Sequence, residues 1–164
     1  MIDVTSIALA IAVGLGATLF MDLFALLLNQ VFNIPLPNMC LVGRWVRYMP
    51  EGKFRHASIA KAPPKSSECL VGWIAHYAIG AIFAVMLVLV VSAAWLQRPT
   101  ILPALVFGVV TVAVPFLVMH PSFGMGVAAS KAPNPAQARL RSLTNHAVFG
   151  LGLYVSALLL SAIR

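Results

Sequence analysis

Apolar residues run along this chain in four long stretches, and the polar residues gather between them. The stretches cover about 5–31, 69–96, 101–120 and 143–163. A helix needs about 20 apolar residues to cross a bilayer, so four membrane-spanning helices are expected. Inside them the few polar residues keep helical spacing. Ala10, Gly14, Thr18 and Asp22 lie four apart, as do Gly72, His76, Gly80 and Ala84, and Ser142, His146, Gly150 and Tyr154. Residues four apart share one helix face. Three helices therefore each carry a stripe of small residues with one ionisable group in it. Small residues mark helix contacts in lipid. An ionisable group belongs inside the bundle, because facing lipid at mid-membrane costs several kcal/mol.

Prolines mark where helices start, bend and stop. Pro103 suits a first turn, and Pro115 predicts a kink inside the third span. Pro121 ends that span or bends it again, and the small, Gly-rich run 122–130 reads as a broken helix, a re-entrant piece or a frayed end. Between the first two spans, Pro35, Pro37, Pro50, Pro63 and Pro64 prevent one continuous helix. Within this connection, 41–49 predicts a short helix on the membrane surface, with Val42, Trp45, Val46 and Met49 along one side. Trp73 and Trp95 stand near the ends of the second span, where aromatic belts place indoles.

Composition agrees with this pattern. The chain has 164 residues, 61% apolar and 9% charged, with a mean hydropathy of +0.96. Soluble domains carry about 25% charged residues, so this is a membrane protein. Its net charge of +7 does not point to nucleic acid, because membrane topology accounts for it. The connection 32–68 holds Arg44, Arg47, Lys53, Arg55, Lys61 and Lys65, and the one after the third span holds Lys131, Arg139 and Arg141. Arg98 and Arg164 lie on the other side. Basic loops favour the cytoplasm, which leaves both termini non-cytoplasmic. The same placement predicts free thiols at Cys40 and Cys69, since the cytoplasm is reducing. The N-terminal run lacks a basic n-region and is too long for a signal peptide, so it reads as a retained first span. The expected fold is all-α, an integral membrane four-helix bundle forming a single domain over 1–164. A long basic cytoplasmic loop joins helices 1 and 2.

Depth then singles out a candidate site. At a 1.5 Å rise per residue, Asp22 lies roughly 13 Å, His76 roughly 11 Å and His146 roughly 5–9 Å from the cytoplasmic ends of their spans. His120 lies near that end of the third span, and Asn145 precedes His146. One carboxylate and two or three imidazoles at one depth allow several chemistries. Histidine titrates near neutral pH, and Asp–His relays carry protons in pumps and transporters. Two His and one carboxylate, here Asp22, His76 and His146, could hold a transition metal. His76 and His146 could also be axial haem ligands, with Arg139 or Arg141 meeting the propionates. The same groups could instead only hydrogen-bond the bundle into register. In the basic connection, Arg44, Arg47, Lys53 and Arg55 are candidate contacts to anionic lipid headgroups. The partners expected are the bilayer and, for a passage function, a second copy forming a homodimer. No H-E-x-x-H, Walker loop, G-x-S-x-G or C-x-x-C-H occurs, so no catalytic residue is assigned.

Six ordered motifs resemble a known family. They are G-L-G-A-T-L-F-M-D-L-F-A-L-L-L, L-V-G-R-W, G-K-F-R-H-A-S-I-A-K-A-P, G-W-I-A-H-Y-A-I-G, P-T-I-L-P-A-L and S-L-T-N-H-A-V-F-G-L-G-L-Y. The chain is similar over nearly its whole length to small bacterial inner-membrane proteins catalogued as domain of unknown function 2938. The resemblance implies four spans and the bacterial inner membrane. It implies no activity, cofactor or site residue. The best functional expectation is proton, ion or small-solute passage or sensing. The alternatives are a metal- or haem-binding redox protein and a structural or assembly subunit.

Overall fold

The computed structural model describes residues 3–163. Among them it has four helices long and apolar enough to span a membrane and a fifth, shorter one. Helix α1 covers Val4–Phe32, α2 Met39–Tyr48, α3 Glu68–Val91, α4 Ile101–Ser122 and α5 Pro135–Ala162. The four long helices turn large aliphatic side chains outward, among them Leu23, Ile82, Leu102 and Leu159. Helices satisfy their own backbone groups, so they can present such surfaces to lipid. The chain is a multi-pass membrane protein.

Local chemistry sets the helix ends. Asp3 caps α1 by accepting from the Ser6 N–H at 2.9 Å, and Asn33 closes it in the left-handed conformation. Helix α3 stops at Val91, short of the expected 96, because Ser92 takes a φ of 83°. The 3-10 turn Ala93–Leu96 then tucks Trp95 inward, with its Nε1 donating to the Thr100 carbonyl at 3.2 Å. Trp95 is thus a core residue at 6% exposure, whereas Trp73 is 45% exposed. Helix α4 is regular through Val110. Pro115 has no N–H to bond back, and the turn Pro115–Met119 widens to π geometry. Helix α5 begins well before residue 143, because Asn134 Oδ1 accepts from the Gln137 N–H at 3.1 Å and Pro135 takes the first helical position.

Three expectations are corrected. The fold is all-α with four candidate spans, but five helices make it other than a simple four-helix bundle. The region between α1 and α3 is not a long basic cytoplasmic loop. It folds into α2 and two 3-10 turns, Met49–Glu51 and Ile59–Lys61. Leu41, Val42 and Trp45, on the apolar side of α2, cover a small core of Tyr48, Ile59 and Phe123. Arg44 is turned to Glu68 rather than to solvent. Finally, Cys40 and Cys69 are not free thiols: they form a disulfide.

The chain divides into two compact units. Unit one holds the described chain up to Leu36, Tyr77–Thr111, and the described chain from Asn145 on. Its core includes Val13, Ala17, Leu87, Val88 and Leu153. Unit two holds Pro37–His76 and Val112–Thr144.

Candidate functional site

In unit one, glycines bring helices close enough for polar side chains to meet. A methyl group on Gly14 of α1 would strike the Gly80 carbonyl oxygen of α3 at 2.5 Å. Thr18, fully buried and donating back to the Gly14 carbonyl at 2.9 Å, fills the space over Gly80. Asp22 lies one turn beyond Thr18. There the Tyr77 hydroxyl of α3 donates to its Oδ2 at 3.0 Å.

Helices α4 and α5 meet in the same way. A methyl on Gly108 would lie 2.5 Å from Gly150 Cα and 2.7 Å from the His146 carbonyl oxygen. One turn from this crossing, Thr111 Oγ1 stands 2.8 Å from His146 Nδ1. The same hydroxyl lies 2.5 Å from the Gly108 carbonyl. A hydroxyl has one proton to give, and a carbonyl can only accept it. With that proton on the Gly108 carbonyl, the contact to Thr111 takes a proton on His146 Nδ1. Nε2 of the neutral ring then carries the lone pair. Asn145 is half-buried beside it.

The remaining histidines belong to unit two. His76 is half-buried, its ring edge-on to Trp73 at 5.7 Å. His120 is buried at 4% exposure, tilted against Phe116 at 5.8 Å. Its Nδ1, and both ring nitrogens of His56, are buried with no hydrogen-bond partner among the described residues. The His56 ring rests against Tyr48 at 4.8 Å, and the His56 backbone N–H donates to the Ser122 carbonyl at 2.9 Å. Among the described residues, no three His, Cys, Asp or Glu side chains are grouped to hold a metal ion.

The proposed headgroup contacts differ in availability. Arg44 makes two bonds to Glu68, at 2.8 and 2.7 Å, and donates to the Ala62 carbonyl at 2.9 Å. Both side chains are nearly buried, at 11% and 12% exposure. The Glu68 bonds, the larger influence, hold the Arg44 guanidinium above its already high ordinary pKa. Arg47, Lys53 and Arg55 are exposed.

Residues 11–160 match the model of a family described as "Protein of unknown function (DUF2938)". The chain belongs to this family. Neither the curated proteins nor the solved structures include a match to it.

Two partners in this DUF2938 protein were not apparent as site residues. Tyr77 reads as a packing residue in sequence, although it follows His76 directly. Thr111 gives no signal of its own, but it stands three residues after Gly108, where a helix brings it near the same face.

Proposed function

We propose that this protein moves or senses protons, or an ion or small solute coupled to them, through the polar pairs Asp22–Tyr77 and His146–Thr111. The observation that carries the reading is the contact between His146 Nδ1 and the Thr111 hydroxyl. Thr111 gives its proton to Gly108, so the imidazole turns its lone pair to Nε2 and can take up a proton there. Asp22 supplies a carboxyl group on a membrane helix, held by a neutral hydroxyl. Ionisable groups at such depth are costly to keep and mark ion and proton paths. His76 enters the reading as a further titratable group in the adjoining stretch of α3. Four spans are few to enclose a path, so the working unit is a homodimer. The exposed Arg47, Lys53 and Arg55 meet anionic lipid headgroups at the membrane surface.

The test is proton and ion flux in liposomes carrying wild-type protein, Asp22→Asn, His146→Gln or His76→Ala. A pH-dependent wild-type flux that falls in Asp22→Asn and His146→Gln supports the reading. Equal flux in those two variants and wild type would sink it.

A further inference from the structure

Cys40 and Cys69, the chain's only cysteines, are joined to each other. Each is the second residue of its helix, Cys40 in α2 and Cys69 in α3. The N-terminal end of a helix favours negative charge, so each sulfur stands where a released thiolate is stabilised. Their access differs: Cys69 is exposed and Cys40 half-buried. Exposed Trp73 follows Cys69 by one turn, as at a lipid–water boundary.

Other contacts hold the same crossing without the sulfur bond. A methyl on Gly43 of α2 would collide with the Glu68 carbonyl oxygen of α3, and one on Gly72 with the Met39 carbonyl oxygen. Arg44 and Glu68 join the two helices beside it. The crossing thus has an ion pair and close backbone packing beside the sulfur bond.

We infer that Cys40–Cys69 is an exchange-active disulfide facing an oxidising compartment, and that its substrate is a dithiol. A substrate thiolate attacks the exposed Cys69 sulfur. That bond forms as the Cys69–Cys40 bond breaks, and the electron pair leaves on Cys40 at the α2 N-terminus. The second substrate thiolate then attacks its own mixed-disulfide sulfur and expels Cys69. The substrate loses two electrons and two protons and becomes a disulfide, while the protein pair becomes two thiols.

This assignment also orients the chain. Disulfides persist outside the reducing cytoplasm. With four spans, the start of α1 and the end of α5 then face the cytoplasm, opposite to the orientation from basic residues. Arg44 and Lys65 are engaged by Glu68 and Glu51; the other basic residues of this connection, with Lys131, Arg139 and Arg141, then lie on the oxidising side.

The experiment has two arms, both on the full chain. In acid-quenched cells, a polymer-tagged maleimide reports the thiol state. The expected result is no labelling before reduction and two labels after it, with Cys69 then reached by a membrane-impermeant maleimide on intact spheroplasts. Free thiols before reduction, or labelling only after lysis, would overturn the inference. In native detergent, reduced glutathione is expected to open the wild-type bond and leave its adduct on Cys69. Oxidised glutathione should modify Cys40→Ser about tenfold faster than Cys69→Ser. A bond that opens only in denaturant, an adduct on Cys40, or equal rates in the two variants would overturn it. None of these results bears on liposome flux, so this inference and the passage reading stand or fall separately.

Discussion

Thr111 and His146 are bonded across two helices at 2.8 Å, and the threonine's only proton is given to Gly108. In the proposed reading this relationship places the imidazole proton on Nδ1. Replacing Thr111 by Val keeps the shape and removes the acceptor. A buried Nδ1–H left without a partner costs about 1–3 kcal/mol. The expected outcome is lower thermal stability and, in nitrogen NMR of labelled histidine, a change from one tautomer to a mixture. An unchanged tautomer signal in Thr111→Val would contradict the donor order.

Asp22 and Tyr77 separate charge from hydrogen bonding. Asp22→Asn still accepts from the Tyr77 hydroxyl, so it should fold and span normally while losing pH-dependent flux. Tyr77→Phe keeps the carboxyl and removes one donor. Interhelical hydrogen bonds in membranes are worth roughly 0.6 kcal/mol on average, so its stability should barely change while the pH midpoint of flux moves. A flux profile identical to wild type in Tyr77→Phe would show that the hydroxyl does not tune the carboxyl.

Arg44 is not exchangeable for Lys. Its planar fork serves Glu68 twice and reaches the Ala62 carbonyl as well, which a single ammonium cannot reproduce. Glu68→Gln and Arg44→Lys should each destabilise the protein by about 3 kcal/mol, because each leaves a nearly buried group poorly paired. The double apolar variant Arg44→Met with Glu68→Leu should lose less than either single change. Denaturant unfolding monitored at Trp45 and Trp73 measures all three.

Two glycines of the 33–67 connection should respond oppositely to substitution. Gly43→Val drives a side chain into the α3 backbone and should separate α2 from α3, seen as rapid proteolysis within this connection. Gly52 has open space around it but a φ of 73°. Gly52→Ala should therefore cost only about 1 kcal/mol of backbone strain and leave proteolysis unchanged.

Acid should loosen the same connection slightly. The Lys65 ammonium hydrogen-bonded to Glu51 holds that carboxyl below its ordinary value of 4.5. A depressed folded value means the contribution is present above the unfolded value and is lost as pH falls through the lower, folded one. Stability should therefore decline a little more below about pH 4.5 in wild type than in Glu51→Gln. The pair is solvent-exposed, so the difference is small and should shrink further in high salt.

Several features were legible in sequence because they are local and periodic. The spans could be read from apolar length, and the stripes of Gly14–Asp22 and Gly72–Ala84 from four-residue spacing. Gly80 and Gly72 do lie at helix contacts, but spacing could not name their partners. Gly80 meets α1, whereas Gly72 meets α2. The early stop of α3 turns on one residue, Ser92, with a left-handed φ, which composition does not encode. The connection reads as a loop in sequence because Pro35, Pro37, Pro50, Pro63 and Pro64 interrupt it. Pairing of Arg44 with Glu68, 24 residues away, depends on a helix crossing that no short window contains.

By itself the sequence determined that the chain is helical, crosses a membrane and keeps one ionisable group on each of three small-residue stripes. These follow from hydrophobicity and from 3.6 residues per turn, which act within one segment. Only the tertiary structure decided that Tyr77 serves Asp22, that Thr111 meets His146, and that Cys40 meets Cys69. Each is an encounter between separate helices, set by where glycines let two backbones approach. Such distances arise from packing and have no signature in the order of residues along one helix.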